Sequence, residues 1–150
     1  MRKIWEQTET VSVEETRALA GRLAAVLPDG AVVCLYGDLG AGKTCFVQGL
    51  ARALGVRRPV GSPTFTLINE YRGERGLAHI DLYRLRGAAD AFGLGVEEYL
   101  EHFDGVVAIE WAERLGELAP EGCWRVWLEG GGEDAADGVR VIRVEGPAAV

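Results

Sequence analysis

The chain has 150 residues, 48% hydrophobic and 26% charged, enough for one domain with a real core. Sixteen basic against 23 acidic residues leave a net charge of −7, which argues against a freestanding nucleic-acid binder, since that affinity rests on neutralising phosphates. Cys34, Cys45 and Cys123 show neither metal spacing nor a C-x-x-C pair and read as free thiols of a reducing, cytoplasmic compartment; the start "MRKIWEQTET" lacks the apolar core of a signal peptide, and no apolar run suits a membrane span.

In chain order, "SVEETRALAGRLAAVL" opens on a capping box, Ser12 with Glu15, and repeats Leu19, Leu23, Val26 and Leu27 at helical spacing. "PDG" ends it. "AVVCLYG" reads as a strand buried on both faces, "GDLGAG" as a loop, and "KTCFVQGLARALG" as a helix closed by Gly55. "RRPVGSP" is a loop. "TFTLINEYR" and "LAHIDLYRL" alternate around "GERG" and predict an antiparallel hairpin. With the turn centred on Glu74 and Arg75, Thr64 and Thr66 would lie beside Asp81, Tyr83 and Leu85. "VEEYLEHF" is a short helix and "GVVAIEW" a buried strand ending in an acid. "CWRVWLE" and "VRVIRVE" form a second hairpin around "GGGEDAADG", and the tail 146–150 is expected to fray. The whole predicts a single α/β domain, a mixed sheet with flanking helices and added antiparallel hairpins.

Gly37, Gly42, Lys43 and Thr44 satisfy G-x-x-x-x-G-K-[ST] between a predicted strand and a predicted helix. Such a loop closes backbone N–H groups on phosphate oxygens, and the helix start adds its positive end. Lys43, one of only two lysines, can bridge β- and γ-phosphates, and the Thr44 hydroxyl can hold Mg²⁺. Glu110 ends its strand where a nucleotide fold of this type places a second magnesium contact. Trp111 beside it is either core or a cover over the site. The single asparagine, Asn69, is not followed by lysine, so no N-K-x-D guanine segment exists and ATP is the expected nucleotide. The polar groups of "GSPTFT" and "HIDLYR" suit sensing of a γ-phosphate; equally, Thr64 and Thr66 suit ordinary strand positions and Asp81 an ion pair with Arg84.

"GDLGAGKT", "SPTFTLINEY", "HIDLYRL" and "IEWAERL", in this order and spacing, resemble the bacterial TsaE (YjeE) ATPases over nearly the whole chain. The resemblance implies a P-loop NTPase-like fold and a Mg²⁺-dependent ATPase that supports threonylcarbamoyl modification of adenosine (t6A) in tRNAs reading ANN codons. It also implies work alongside a TsaD–TsaB pair, with TsaD making the transfer to tRNA. By motif it places Gly37, Asp38, Leu39, Gly40, Ala41, Gly42, Lys43, Thr44 and the adjoining Cys45 at the nucleotide. Thr64 comes with a switch I-like stretch (Ser62 to Thr66), and Asp81 is the acid of a switch II-like stretch (His79 to Leu85). Thr8, Thr10 and Val11 become candidates for the adenine pocket. The implied catalytic set is Lys43, Asp81 and Glu110, and the metal set Thr44 and Glu110.

Arg57, Arg58, Arg72, Arg75, Arg84 and Arg86 are the main basic clusters; they read either as solvated loop charge or as a docking face for TsaD–TsaB with tRNA nearby. Two other function classes use the same loop: a small-molecule or nucleoside kinase, with Asp81 as the base for an acceptor hydroxyl, and a nucleotide-gated adaptor in which hydrolysis is incidental.

Overall fold

A computed structural model describes residues 2–38, 40–61, 67–85, 90, 95–130 and 139–147. Its central strand is β2 (Val32–Tyr36), the predicted doubly buried run. Strand β1 (Arg2–Thr10) lies at one edge, followed in chain order by β3 (Ile68–Arg72), β4 (Gly76–Asp81), β5 (Val106–Glu110), β6 (Trp124–Gly130) and β7 (Arg140–Pro147). The seven form one sheet in the order β1-β7-β6-β2-β5-β4-β3. β2 runs parallel to β5 and β6, and β5 parallel to β4, while β3 and β7 run against their neighbours. This is the mixed α/β sheet expected, with antiparallel hairpins added at both sides.

Strand alternation sorts the core into two layers. Val33, Leu35, Leu77, Val106, Ala108, Val126, Leu128, Ile142 and Val144 face helices α1 (Val13–Val26) and α2 (Lys43–Ala53). Val32, Cys34, Ala78, Ile80, Val107 and Ile109 face the other way, toward α3 (Val96–His102) and a 3-10 helix, Ala112–Leu118. Helices α1 and α2 approach closely because Gly49 has no side chain: a Cβ there would stand 2.6 Å from the Arg17 carbonyl oxygen. No helix among the described residues is long and apolar enough to cross a membrane.

The capping box forms with a shift of one residue. The Ser12 hydroxyl accepts the Glu15 N–H at 3.1 Å, but the Glu15 carboxylate accepts from Val11, the residue before the cap, at 2.9 Å. Strand β1 is absent from the expected elements. Its sequence alternates poorly and bulges between Ile4 and Glu6, and pairing with β7 alone makes it a strand. Gly146 and Pro147, expected to fray, pair with Lys3 and Arg2 and extend β7; residues 148–150 lie outside the described set.

The β3–β4 hairpin corrects the expected register by one. Ile68 faces Ile80 and Arg72 faces Gly76, so the turn is the three residues Gly73 to Arg75, centred on Glu74. The turn is held from outside: the Arg75 N–H donates to the Leu54 carbonyl, and its guanidinium donates to Asp29 at 2.8 Å and to the carbonyls of Ala24 and Leu27. Tertiary anchoring thus overrides the local choice of turn. β4 also ends earlier than "LAHIDLYRL" suggests, because the Asp81 carboxylate accepts the Tyr83 N–H at 2.9 Å and curls the chain into a turn.

Candidate functional site

The loop 37–42 joins the C-terminal end of β2 to the N-terminal end of α2. Gly37 cannot carry a side chain, since a Cβ would lie 2.6 Å from the Leu128 carbonyl oxygen, and Gly42 caps α2 with a left-handed φ of 105°. Lys43, first in the helix, is only 4% exposed. Its ammonium donates to the Gly37 carbonyl at 2.5 Å and lies 3.4 Å from the centre of the Trp111 ring. Burial pulls its pKa below the ordinary lysine value, opposed by the carboxylates of Glu113, Glu110, Asp81 and Asp38.

The next residue meets the neighbouring strand. Thr44 Oγ1 donates to the Glu110 carboxylate, 3.1 Å from Oε1 and 3.0 Å from Oε2. Glu110 reaches inward because it shares the α2-facing side of β5 with Val106 and Ala108; it is 3% exposed. Asp81 pairs with Glu110 in the β4–β5 ladder and so stands beside it. Burial raises the Asp81 carboxyl above its ordinary value, partly offset by the N–H it accepts from Tyr83. That carboxylate turns to Tyr83, not to Arg84. Trp111, the one non-glycine residue at positive φ among the described residues (59°), leaves β5 at once. Its ring covers the Lys43 ammonium and packs on Tyr83 with centroids 5.0 Å apart.

The structure therefore gathers Gly37, Asp38, Gly40, Ala41, Gly42, Lys43, Thr44, Asp81 and Glu110 at one end of the parallel strands. Leu39 and Thr64, with the rest of 62–66, lie outside the described residues. Thr10 is buried and its hydroxyl shares a 2.7 Å hydrogen bond with that of Thr16, while Thr8 donates to the Glu9 carbonyl and Val11 is 54% exposed. Cys45 reaches the Val13 carbonyl at 3.8 Å, which brings the start of α1 beside the first turn of α2.

Arg140 joins the site without having been singled out from the sequence, and His79, first residue of the switch II-like stretch, takes a partner that the sequence did not indicate. Arg140, opposite Thr10 in the β1–β7 ladder, donates to the Ala41 carbonyl at 3.0 Å and the Gly40 carbonyl at 3.4 Å. His79 sits fully buried 2.5 Å from Glu110 Oε2. A signal for both existed: each is a polar residue at an inward-facing position of an alternating strand, Arg140 in step with Ile142 and Val144, His79 in step with Leu77.

The arginines divide. Arg57, Arg58 and Arg72, with Arg52, line a cleft of about 680 Å³ away from the loop, Arg75 holds the β3–β4 turn, Arg84 lies in the turn after β4, and Arg86 is outside the described residues.

A model of the family described as "Threonylcarbamoyl adenosine biosynthesis protein TsaE" matches residues 10–137. The tRNA threonylcarbamoyladenosine biosynthesis protein TsaE of Bacillus subtilis (strain 168) is 44% identical over 126 residues, which cover 83% of this chain and 78% of that protein. The protein of the same name from Streptomyces coelicolor is 40% identical over 134 residues, 87% of this chain and 89% of its own. A crystal structure of YdiB from Bacillus subtilis superposes with a TM-score of 0.79 at 38% identity, covering 97% of this chain and 87% of that one. The chain belongs to the TsaE family of tRNA threonylcarbamoyladenosine biosynthesis.

Proposed function

We propose that this TsaE-family chain is a Mg²⁺-dependent ATPase whose turnover resets a TsaD–TsaB transfer complex in the cytoplasm, serving tRNA only through that complex. The observation that carries the reading is the cluster in which a glycine loop, a buried lysine and a hydroxyl–carboxylate pair meet at the start of α2. The residues fit a magnesium nucleotide. Side chains are excluded at Gly37, the helix N-terminus offers free N–H groups, and the Lys43 ammonium is held in place by a carbonyl that a phosphate oxygen can replace. Thr44 and Glu110 would hold the magnesium, which supplies positive charge to the phosphate oxygens. Lys43 would bind the β- and γ-phosphates. Asp81 pairs with Glu110 in the ladder and accepts the Tyr83 N–H, which supports a role in responding to what Glu110 would hold. Together with Thr64 it would form the γ-phosphate-sensing part.

Arg140, the arginine at the loop among the described residues, is engaged with the Gly40 and Ala41 carbonyls, and a phosphate loop without a complete catalytic set hydrolyses slowly; a group from a partner can add about 10³–10⁵-fold. Slow turnover alone and marked stimulation by TsaD–TsaB follow. The test is tRNA modification reconstituted with TsaD and TsaB under multiple-turnover conditions, with and without this protein, alongside its ATPase rate in each mixture. Fast ATP turnover indifferent to the partners, with modification unaffected by its omission, would overturn the reading.

A further inference from the structure

None of the roles above uses His79, although its imidazole is fully buried on the α2-facing side of β4. Its Nε2 lies 2.5 Å from Glu110 Oε2. An ionised carboxylate only accepts, so Nε2 carries the proton and donates. Nδ1 is then left buried, with no hydrogen-bond partner among the described residues. A buried polar atom without a partner is costly, and a hydrophobic side chain would fill the same space without that cost. The arrangement is explained at Glu110 instead. Thr44 approaches both carboxylate oxygens from α2, and His79 takes Oε2 from β4, so the carboxylate is gripped from two elements and cannot rotate freely.

We infer that His79 is a positioning residue: as the Nε2–H tautomer it holds the Glu110 carboxylate against the Thr44 hydroxyl, in the orientation a divalent cation bound with the nucleotide requires. The inference rests on the reading of Thr44 and Glu110 as the cation pair. Groups that orient a metal-facing side chain in this way typically matter by about 10–100-fold in metal affinity or activity.

The chain has two histidines, and the other, His102, has a side chain 68% exposed, so imidazole nitrogens are readily assigned. Long-range ¹H–¹⁵N NMR of the metal-free protein should show His79 protonated at Nε2 and bare at Nδ1. Glu110→Gln should shift the His79 nitrogens and leave those of His102 in place. With ADP bound, His79→Leu should weaken Mn²⁺ affinity by about 10–100-fold, while ADP affinity in EDTA stays at the wild-type value. In ATPase assays the same variant should lose kcat with KM little changed. His79→Gln, whose amide can donate from near the Nε2 position, should recover most of both losses. An Nδ1-protonated His79, wild-type Mn²⁺ affinity in His79→Leu, or a Gln variant no better than Leu would each overturn the inference. Should His79→Leu fail to fold by circular dichroism, the tautomer and the Gln variant decide. Wild-type protein that binds no Mn²⁺–ADP overturns the reading of the Thr44–Glu110 pair and this inference with it. Normal binding with an indifferent His79 overturns this inference alone.

Discussion

The two faces of the sheet are built from the same alternating strands yet end differently. On the face toward α3 and the 3-10 helix, the inward positions of β2, β4 and β5 stay apolar throughout: Val32, Cys34, Ala78, Ile80, Val107 and Ile109. On the face toward α1 and α2, β4 and β5 begin apolar and turn polar at or near one end, with His79 and Asp81 on β4 and Glu110 on β5. Arg140 does the same on β7, which runs the other way. Buried polar groups are costly unless they are partnered. Here they partner one another and the loop: Thr44 with Glu110, Glu110 with His79, Lys43 with Gly37, Arg140 with Gly40 and Ala41. The contrast separates a face that holds the fold from one that spends part of its core on a site.

The sharpest way to break that contrast is Lys43→Ala. It should lower productive ATP binding or turnover by about 10²–10³-fold, the scale of losing one charge-stabilising donor, while circular dichroism and melting remain those of a folded protein. Nucleotide titration and ATPase assays check it, and wild-type values for both would remove the loop from the site. Glu110→Gln comes next. It keeps the shape and the partners Thr44 and His79 but loses the charge. Turnover should fall about 10–100-fold with nucleotide affinity largely kept, and unchanged turnover at saturating Mg²⁺ would move Glu110 out of the chemistry.

The opposite face should answer in stability alone. Ile80→Val removes one methylene from a fully buried site and should cost about 0.5–1.5 kcal/mol in denaturant unfolding. Nucleotide affinity should be unchanged, and a parallel loss of affinity would show that the faces are coupled. The smallest expected effect belongs to Asp81. Burial raises its carboxyl above the ordinary 3.8, so the folded state holds this proton more tightly than the unfolded chain. The associated stability is fully present below that value and is lost as pH rises through the folded value. Asp81→Asn has no such loss and keeps an oxygen for the Tyr83 N–H. Its melting temperature should therefore gain on the wild type as pH rises from about 4 through the folded Asp81 value. A constant difference across that range would mean that Asp81 ionises as freely folded as unfolded.

Much was legible in the order of residues. The strand–loop–helix at Gly37–Thr44, the acid closing β5 and the two hairpins follow from local rules: glycine where the backbone must turn tightly, continuous apolar runs for strands buried on both faces, alternation for hairpins. Other features rest on contacts between distant segments, which no local rule contains. β1 is a strand because β7 offers it an edge. The β3–β4 register follows a turn pinned by Asp29 and Leu54. Arg140 reaches the loop across 99 residues of chain, and His79 finds Glu110 across 31. Their positions on inward faces could be read from alternation, but their partners could not. Which polar groups meet when a strand end turns from core to site is decided by the neighbouring strands and the helix laid across them, and that neighbourhood exists only once the sheet has formed.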